Sequence, residues 1–383
     1  MGHAFGIAEY RARLERVRAS MAHAGIDTLV ITDPSNMGWL TGYDGWSFYV
    51  HQAVIVSHDA DPLWWGRAQD VAGARRTTWM VDNSAVGYDE HYIQTSLRHP
   101  MQDLAARLSG RVGVEMDNYC YSAKAHTVLA EAGLDLTDAT SLVNWCRAVK
   151  SGAEIGFMRK AARISEAVID GMAERIAPGV PKNEVVAEAY RDAIRGVGGD
   201  WGDYPAIVPL VPSGADAAAP HLTWNGDGFR KGEATTLEIA GCYRRYHAPL
   251  CRSVFLGDPP DEMKRAEAAV IEGLDAGIDA ARAGNQARDV AAALNRALRK
   301  VGIERTARCG YPIGLSYPPD WGERTVSFRA EDETVLEPNM TFHFMPGLWM
   351  DDWGLAITES IRITEDGPAE CLCDRPREMI VKR

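Results

Sequence analysis

The sequence predicts an α+β protein in two parts: an α/β layer domain over residues 1–148 and an α+β domain over residues 151–383. Three observations carry this. Short β-rich apolar runs alternate with helical patterns through the first part. A helix-start signature, Ser151-Gly-Ala-Glu154, then opens a long amphipathic segment. Beyond it the order two helices, strands, two helices, strands makes the second part echo itself.

Residues 8–24 read as an amphipathic helix, followed by the strand-like run Thr28-Leu-Val-Ile-Thr32. Further strand-like segments fall at 48–57 and 111–115, with helical patterns near 93–109 and 122–132. After the capping box, Ile155, Met158, Ala162, Ile169, Met172 and Ile176 share a helix face, and Pro178-Gly179 stops it. A second helix over 183–196 runs into Gly196 and Gly198-Gly199. Strands follow near 206–211, 234–241 and 243–256, helices near 261–283 and 287–301, and strands near 335–346 and 354–364.

A length of 383 residues suits two domains, and 46% hydrophobic with 25% charged residues is ordinary for a soluble globular chain. The net charge of −12 argues against a nucleic-acid partner or an anionic membrane surface. Seven cysteines without regular spacing suit a reducing compartment, and Cys371 and Cys373 read as ordinary thiols. Neither a signal-peptide core nor an apolar run of about 18 residues is present, so a cytoplasmic protein is expected.

Five stretches carry the chemistry: Leu237-Glu-Ile-Ala-Gly241, Tyr246-His-Ala-Pro-Leu-Cys-Arg252, Gly310-Tyr-Pro-Ile-Gly314, Met340-Thr-Phe-His-Phe-Met-Pro-Gly347 and Leu355-Ala-Ile-Thr-Glu-Ser-Ile-Arg-Ile-Thr364. In this order they resemble the ligand-bearing segments of the pita-bread family of methionine aminopeptidases, prolidases and creatinases, over residues 151–365. The resemblance implies a curved pseudo-twofold sheet with outer helices, preceded by a creatinase-like α/β domain. Where the metallopeptidases carry their Asp, Asp, His, Glu and Glu ligands, this chain has Glu238, Pro249, Tyr311, Met345 and Glu359. Pro and Met supply no hard ligand and a neutral Tyr is a poor one, so neither metal nor other cofactor is expected. Creatinase is a metal-free precedent that hydrolyses a C–N bond in a small zwitterion.

A finer resemblance is to the ectoine hydrolases, on residues 39–51, Ala219-Pro-His-Leu-Thr-Trp224, residues 310–321 and Phe342-His-Phe-Met-Pro-Gly-Leu-Trp349. It implies hydrolytic ring opening of the cyclic amidine ectoine to N-acetyl-2,4-diaminobutyrate. A creatinase-like hydrolase of another amidino or guanidino zwitterion is the alternative. A non-catalytic binding protein on the same scaffold is a third reading, and a metallopeptidase is disfavoured by Pro249 and Met345.

On the last strand, Leu355, Ile357, Glu359, Ile361 and Ile363 share one face by the two-residue period. A carboxylate amid four aliphatic residues is either catalytic or ion-paired to an arginine; the resemblance implies the first. Glu238 takes its weight from its spacing to Pro249. His221, in a turn-rich loop, is by itself an ordinary exposed histidine; the resemblance makes it the leading general acid/base. His343 and His247 are each either core histidines or substrate contacts, and Tyr311 is expected to point its hydroxyl into the pocket. Cys251 falls where creatinase has a substrate-binding glutamate. Trp46, Tyr49 and Trp353 are candidates for stacking on a delocalised cation, and Arg67 for clamping a carboxylate. The family's habit implies a homodimer in which the N-terminal domain contributes to the neighbouring site.

Overall fold

The computed structural model describes residues 3–383, which fall into two compact units dividing after Arg147. In the first, α1 (Ile7–Ala24) ends at Gly25, whose φ of 65° is the left-handed conformation that glycine adopts without cost. Then come β1 (Thr28–Ile31), α2 (Pro34–Thr41), β2 (Ala53–Ser57), β3 (Leu63–Arg67), α3 (Val71–Thr77) and β4 (Ala85–Tyr88). The unit closes with α4 (Met101–Ala105), β5 (Arg111–Val114), α5 (Ala123–Glu131), β6 (Asp135–Asp138) and α6 (Leu142–Cys146). Its sheet has the order β4-β3-β2-β1-β5-β6. The pairs β1–β2 and β2–β3 are antiparallel, and the remaining pairs are parallel.

The helix expected over 93–109 is mostly absent. Pro100 takes the cap position of the short α4, and Leu97 ahead of it is 86% exposed and adds no buried apolar contact to hold a longer helix. The strand expected over 48–57 begins only at Ala53. Missed altogether were β3, whose Trp64 and Trp65 are fully buried, and the short β4 and β6.

In the second unit α7 (Gly152–Arg175) opens on the capping box read from Ser151 and Glu154, and α8 (Lys182–Arg195) follows. Next are β7 (Ala234–Tyr243), β8 (Tyr246–Leu256), α9 (Asp261–Ala280), α10 (Ala287–Arg299), β9 (Gly310–Pro312) and β10 (Thr341–Phe344). The chain finishes with β11 (Leu348–Trp349), β12 (Gly354–Leu355), β13 (Glu359–Arg362), β14 (Glu370–Cys371) and β15 (Ile380–Lys382). The long hairpin β7–β8 is antiparallel, with β15 parallel to the other edge of β8. A second sheet has the order β14-β13-β10-β9. The two sheets join where the Thr358 N–H donates to the Cys251 carbonyl at 3.2 Å.

The echo read from sequence is a pair of cores. Ile164, Val168 and Met172 of α7 pack with Leu237, Ile239, Leu250 and Val254. Val270 and Leu274 of α9 and Val290 and Leu294 of α10 pack with Phe342, Phe344 and Ile361. Gly241 lets α7 lie directly on β7, since a Cβ there would stand 2.2 Å from the Ala161 carbonyl oxygen. The helices thus cover one face of each sheet and leave the alternate residues on the other.

Three expected strands differ. Over 206–211 only Leu210 bridges, to Glu238, because Pro205, Pro209 and Pro212 remove ladder donors. The run 354–364 is broken at Ala356–Thr358: the Ala356 N–H turns to Ser253 Oγ and the Thr358 N–H to Cys251. The strand expected over 335–346 is confined to Thr341–Phe344.

Candidate functional site

Strand register assembles the site. Glu238 on β7 lies directly opposite Cys251 on β8, and His343 on β10 lies between Tyr311 on β9 and Ser360 on β13. All alternate with residues that face the helices, so they share the helix-free side. Pro249 belongs to this side too, opposite Ala240.

A polar chain crosses it. Trp321 Nε1 donates to Tyr311 Oη at 2.9 Å, and Tyr311 Oη lies 2.8 Å from His343 Nδ1. His343 Nε2 lies 2.8 Å from Thr358 Oγ1, which also accepts the Cys251 N–H at 2.8 Å. The Cys251 thiol, 4.0 Å from Nε2, is a weaker partner. Burial pushes His343 down to about 3, so its ring is neutral. Burial first, and the Glu238 charge second, hold both the Tyr311 hydroxyl and the Cys251 thiol well above their usual ranges. Neither is ionised at neutral pH, and the Glu238 carboxylate is close enough for its field to reach both.

Glu238 itself is partly exposed, yet desolvation alone raises its pKa to about 7. Its carboxylate has no hydrogen-bond or ion-pair partner among the described residues. It is a carboxylate poised near neutrality with nothing to neutralise it.

Glu359 is not part of this group. It pairs with Phe344 on the helix-facing side of β13, one residue out of phase with Thr358 and Ser360. There it is 1% exposed, and its Oε1 accepts from Arg252 Nη2 at 2.8 Å and lies 3.5 Å from Arg377 Nε. Arg252 is saturated: its other donors go to the carbonyls of Cys251, Thr358, Arg375 and Pro376. The expectation that the buried face of the last strand carries a catalytic carboxylate is therefore corrected. The burial is real, but it is on the helix-facing side of β13, and the pairing with Arg252 answers for the charge.

His221 stands exposed on the loop after the short 3₁₀ turn Gly214–Ala218, without a hydrogen bond or ion pair among the described residues. The base of that loop is anchored by Thr235 Oγ1, which donates to Ser213 Oγ at 2.9 Å, and by Ala217, which packs against Gly354. His247 is fully buried, and its Nε2 accepts the Ala206 N–H at 2.9 Å. Burial, with the Arg245 charge second, drives its pKa to about 3 against the weaker pull of the Arg245 and Gly314 carbonyls. It fits the core alternative. Trp353 packs partly buried on the helix-side core of β10 and β13.

Trp46, Tyr49 and Arg67 belong to the first unit. Trp46 and Tyr49 are exposed, and Tyr49 lines a pocket of about 260 Å³ with His51, Tyr88, Tyr92 and His99. Arg67 already grips a carboxylate: Nε donates to Glu90 Oε2 at 2.9 Å and Nη2 to Glu90 Oε1. Sequence reasoning missed Arg308, whose exposed guanidinium lies 4.8 Å from the Tyr311 ring centre and has no ion-pair partner among the described residues. It also missed Thr358, a plain hydroxyl beside a conspicuous glutamate, and Trp321, whose only signal was its place in the segment 310–321.

The residues do not fit the metal pair the fold implies. Pro249 has no donor side chain, Tyr311 offers only a hydroxyl that burial keeps neutral, and Met345 offers only a thioether. Among the described residues no three His, Cys, Asp or Glu side chains gather as a ligand set. No helix among them is long and apolar enough to cross a membrane.

Two family signatures match the chain: the creatinase/prolidase N-terminal domain over residues 13–149 and metallopeptidase family M24 over residues 156–365. It is 55% identical to the ectoine hydrolase of Halomonas elongata, over 98% of this chain and 97% of that protein. Among solved structures, a Bacillus anthracis Xaa-Pro dipeptidase superposes with a TM-score of 0.81 at 22% identity, covering 97% of this chain and 99% of that one. A Mycobacterium ulcerans dipeptidase PepE gives 0.81 at 24% identity, covering 98% and 99%. These structures have the same two-domain pita-bread fold.

Proposed function

Because the chain belongs to metallopeptidase family M24 and carries the creatinase/prolidase N-terminal domain, we propose that it is an ectoine hydrolase working without a metal ion. The observation that carries the reading is Glu238: an unneutralised carboxylate with a pKa near 7, among positions where metal ligands would stand but do not. Full-length similarity to an ectoine hydrolase supplies the substrate.

Ectoine is a cyclic amidine bearing a carboxylate, a zwitterion at neutral pH. Its protonated amidine carbon is already electrophilic, so water can add without Lewis-acid help once a base takes a proton. Glu238 is that base. The amidinium beside it favours the ionised carboxylate, and the acid formed when water adds returns its proton to the ring nitrogen as the C–N bond breaks. The product is N-acetyl-2,4-diaminobutyrate. Arg308 is the partner for the substrate carboxylate, and His221 on its exposed loop exchanges protons with bulk water. The first unit's aromatic surface at Trp46 and Tyr49 supports a homodimer in which it meets a second copy.

The test is to incubate chelator-treated protein with ectoine and follow both substrate and acetylated diaminobutyrate by NMR. Turnover that survives chelation supports the reading. Turnover only after adding a divalent metal would overturn the metal-free part, and no turnover in either case would overturn the substrate.

A further inference from the structure

The polar chain beside Glu238 has a property that follows from counting its protons. At one end the Trp321 Nε1–H can only donate, so the Tyr311 oxygen must accept it. At the other end the Cys251 backbone N–H can only donate, so Thr358 Oγ1 must accept it. Between them lies one imidazole, 2.8 Å from each hydroxyl and carrying a single proton because it is neutral. Two arrangements satisfy these constraints. In one, Tyr311 donates to Nδ1 and Nε2–H donates to Thr358, leaving the Thr358 hydroxyl proton uncommitted. In the other, Thr358 donates to Nε2 and Nδ1–H donates to Tyr311, leaving the Tyr311 proton uncommitted. Either way one hydroxyl has a proton to give, and interconversion moves that proton from one end of the chain to the other.

Resting on the hydrolase reading above, we propose that Tyr311, His343 and Thr358 form a proton relay that serves the collapse of the tetrahedral centre. Glu238 accounts for only one of the two protons that must move: it takes one from water and gives it to the departing nitrogen. The remaining proton sits on the new hydroxyl, which becomes the amide carbonyl when the C–N bond breaks. It passes to Tyr311 as Tyr311 passes its own to Nδ1, Nε2 passes its own to Thr358, and Thr358 protonates the freed amine to ammonium. Charge and atoms balance, and the relay ends in its other arrangement, which exchange with water resets once the product has left. Tyr311 and Thr358 touch the reacting atoms; His343 acts through them. The bond from Trp321 holds the Tyr311 hydroxyl in place.

The experiment compares wild type with Tyr311→Phe, Thr358→Val, Thr358→Ser and His343→Asn, measuring kcat and KM on ectoine and repeating the rates in mixtures of H2O and D2O. The relay predicts that Tyr311→Phe, Thr358→Val and His343→Asn each lower kcat by ~10²-fold or more with KM within ~3-fold. Thr358→Ser, which keeps the hydroxyl, should stay within ~3-fold of wild type. The relay also predicts a bowed dependence of wild-type rate on D2O fraction that straightens in Tyr311→Phe. A straight wild-type dependence, or a Tyr311→Phe enzyme with unimpaired kcat, overturns the relay while leaving the hydrolase reading intact. A wild type inert towards ectoine overturns that reading and the relay with it. If Thr358→Val fails to fold, the Thr358→Ser rate and the wild-type isotope dependence still decide.

Discussion

At the scale of single residues the decisive contrast is between two desolvated glutamates with opposite surroundings. Glu238 has desolvation and no cation; Glu359 has desolvation and Arg252. Glu238 should behave as a base whose ionisation limits activity, so kcat/KM is expected to climb as pH rises through about 7. Glu238→Gln should lower kcat by ~10²–10⁴-fold. The same change should not cost stability. The folded pKa of about 7 lies above the ordinary 4.5, so the contribution of the protonated form is fully present below pH 4.5 and is lost as pH rises through 7. Above that, the carboxylate weakens the fold, and Glu238→Gln should raise the unfolding free energy by ~1–3 kcal/mol in a denaturant titration. Arg308→Ala tests substrate placement: KM for ectoine should rise ~10–100-fold with kcat changed much less, and an unchanged KM would remove Arg308 from the site.

At the scale of elements, the long helices of the second unit were legible, and the side of the strands that carries the site was not. The capping box at Ser151 and the apolar stripe of α7 are local signals, and the helix stands where they place it. The site depends instead on which side of β13 each residue takes, and a shift of one residue exchanges the two faces. Five alternating residues show that a face is buried without showing what buries it, so the alternation leaves Glu359 open to a catalytic or an ion-paired role and gives Thr358 no signal. Glu238, Tyr311 and His343 were reachable because ordered motifs fixed their neighbours; Arg308 lies outside any motif. A stability measurement separates the two faces. Arg252→Met should destabilise by ~3–5 kcal/mol, because Glu359 would be left in the core with only the longer 3.5 Å contact to Arg377. Glu359→Gln should keep kcat within a few-fold of wild type, and a loss comparable to that of Glu238→Gln would return Glu359 to the active site.

At the scale of the whole molecule, acid resistance is set by histidines buried neutral in both units. His343 and His247 titrate only near 3, and His51 near 4, the last through burial with His99 second. Against an ordinary value of 6.5, these groups stabilise the fold above that pH and withdraw their support as pH falls through their folded values. Each histidine should therefore contribute a loss of stability of ~1.4 kcal/mol per pH unit below about pH 6.5. Between 4.5 and about 7 Glu238 and Glu115, both raised to about 7 in the fold, oppose the trend, and Glu359, raised by burial, adds to them. Imidazole signals followed by NMR should show these three rings neutral in the fold at about pH 5, and protonated rings at that pH would overturn this account.

The parallel pairing of β15 with β8 bears on how the chain is made. Ile380–Lys382 complete the edge of the strand that carries Cys251, and Lys382 Nζ also takes up the carbonyls of Ala173, Glu174 and Ile176 where α7 ends. On the ribosome the first unit can emerge and fold long before these residues are translated. Throughout that interval β8 offers an open edge to any passing strand. Nascent chains of this protein should therefore need guarding in their second half, and variants that weaken β15 should show up first as inclusion bodies, before any purified sample reveals a fault in catalysis.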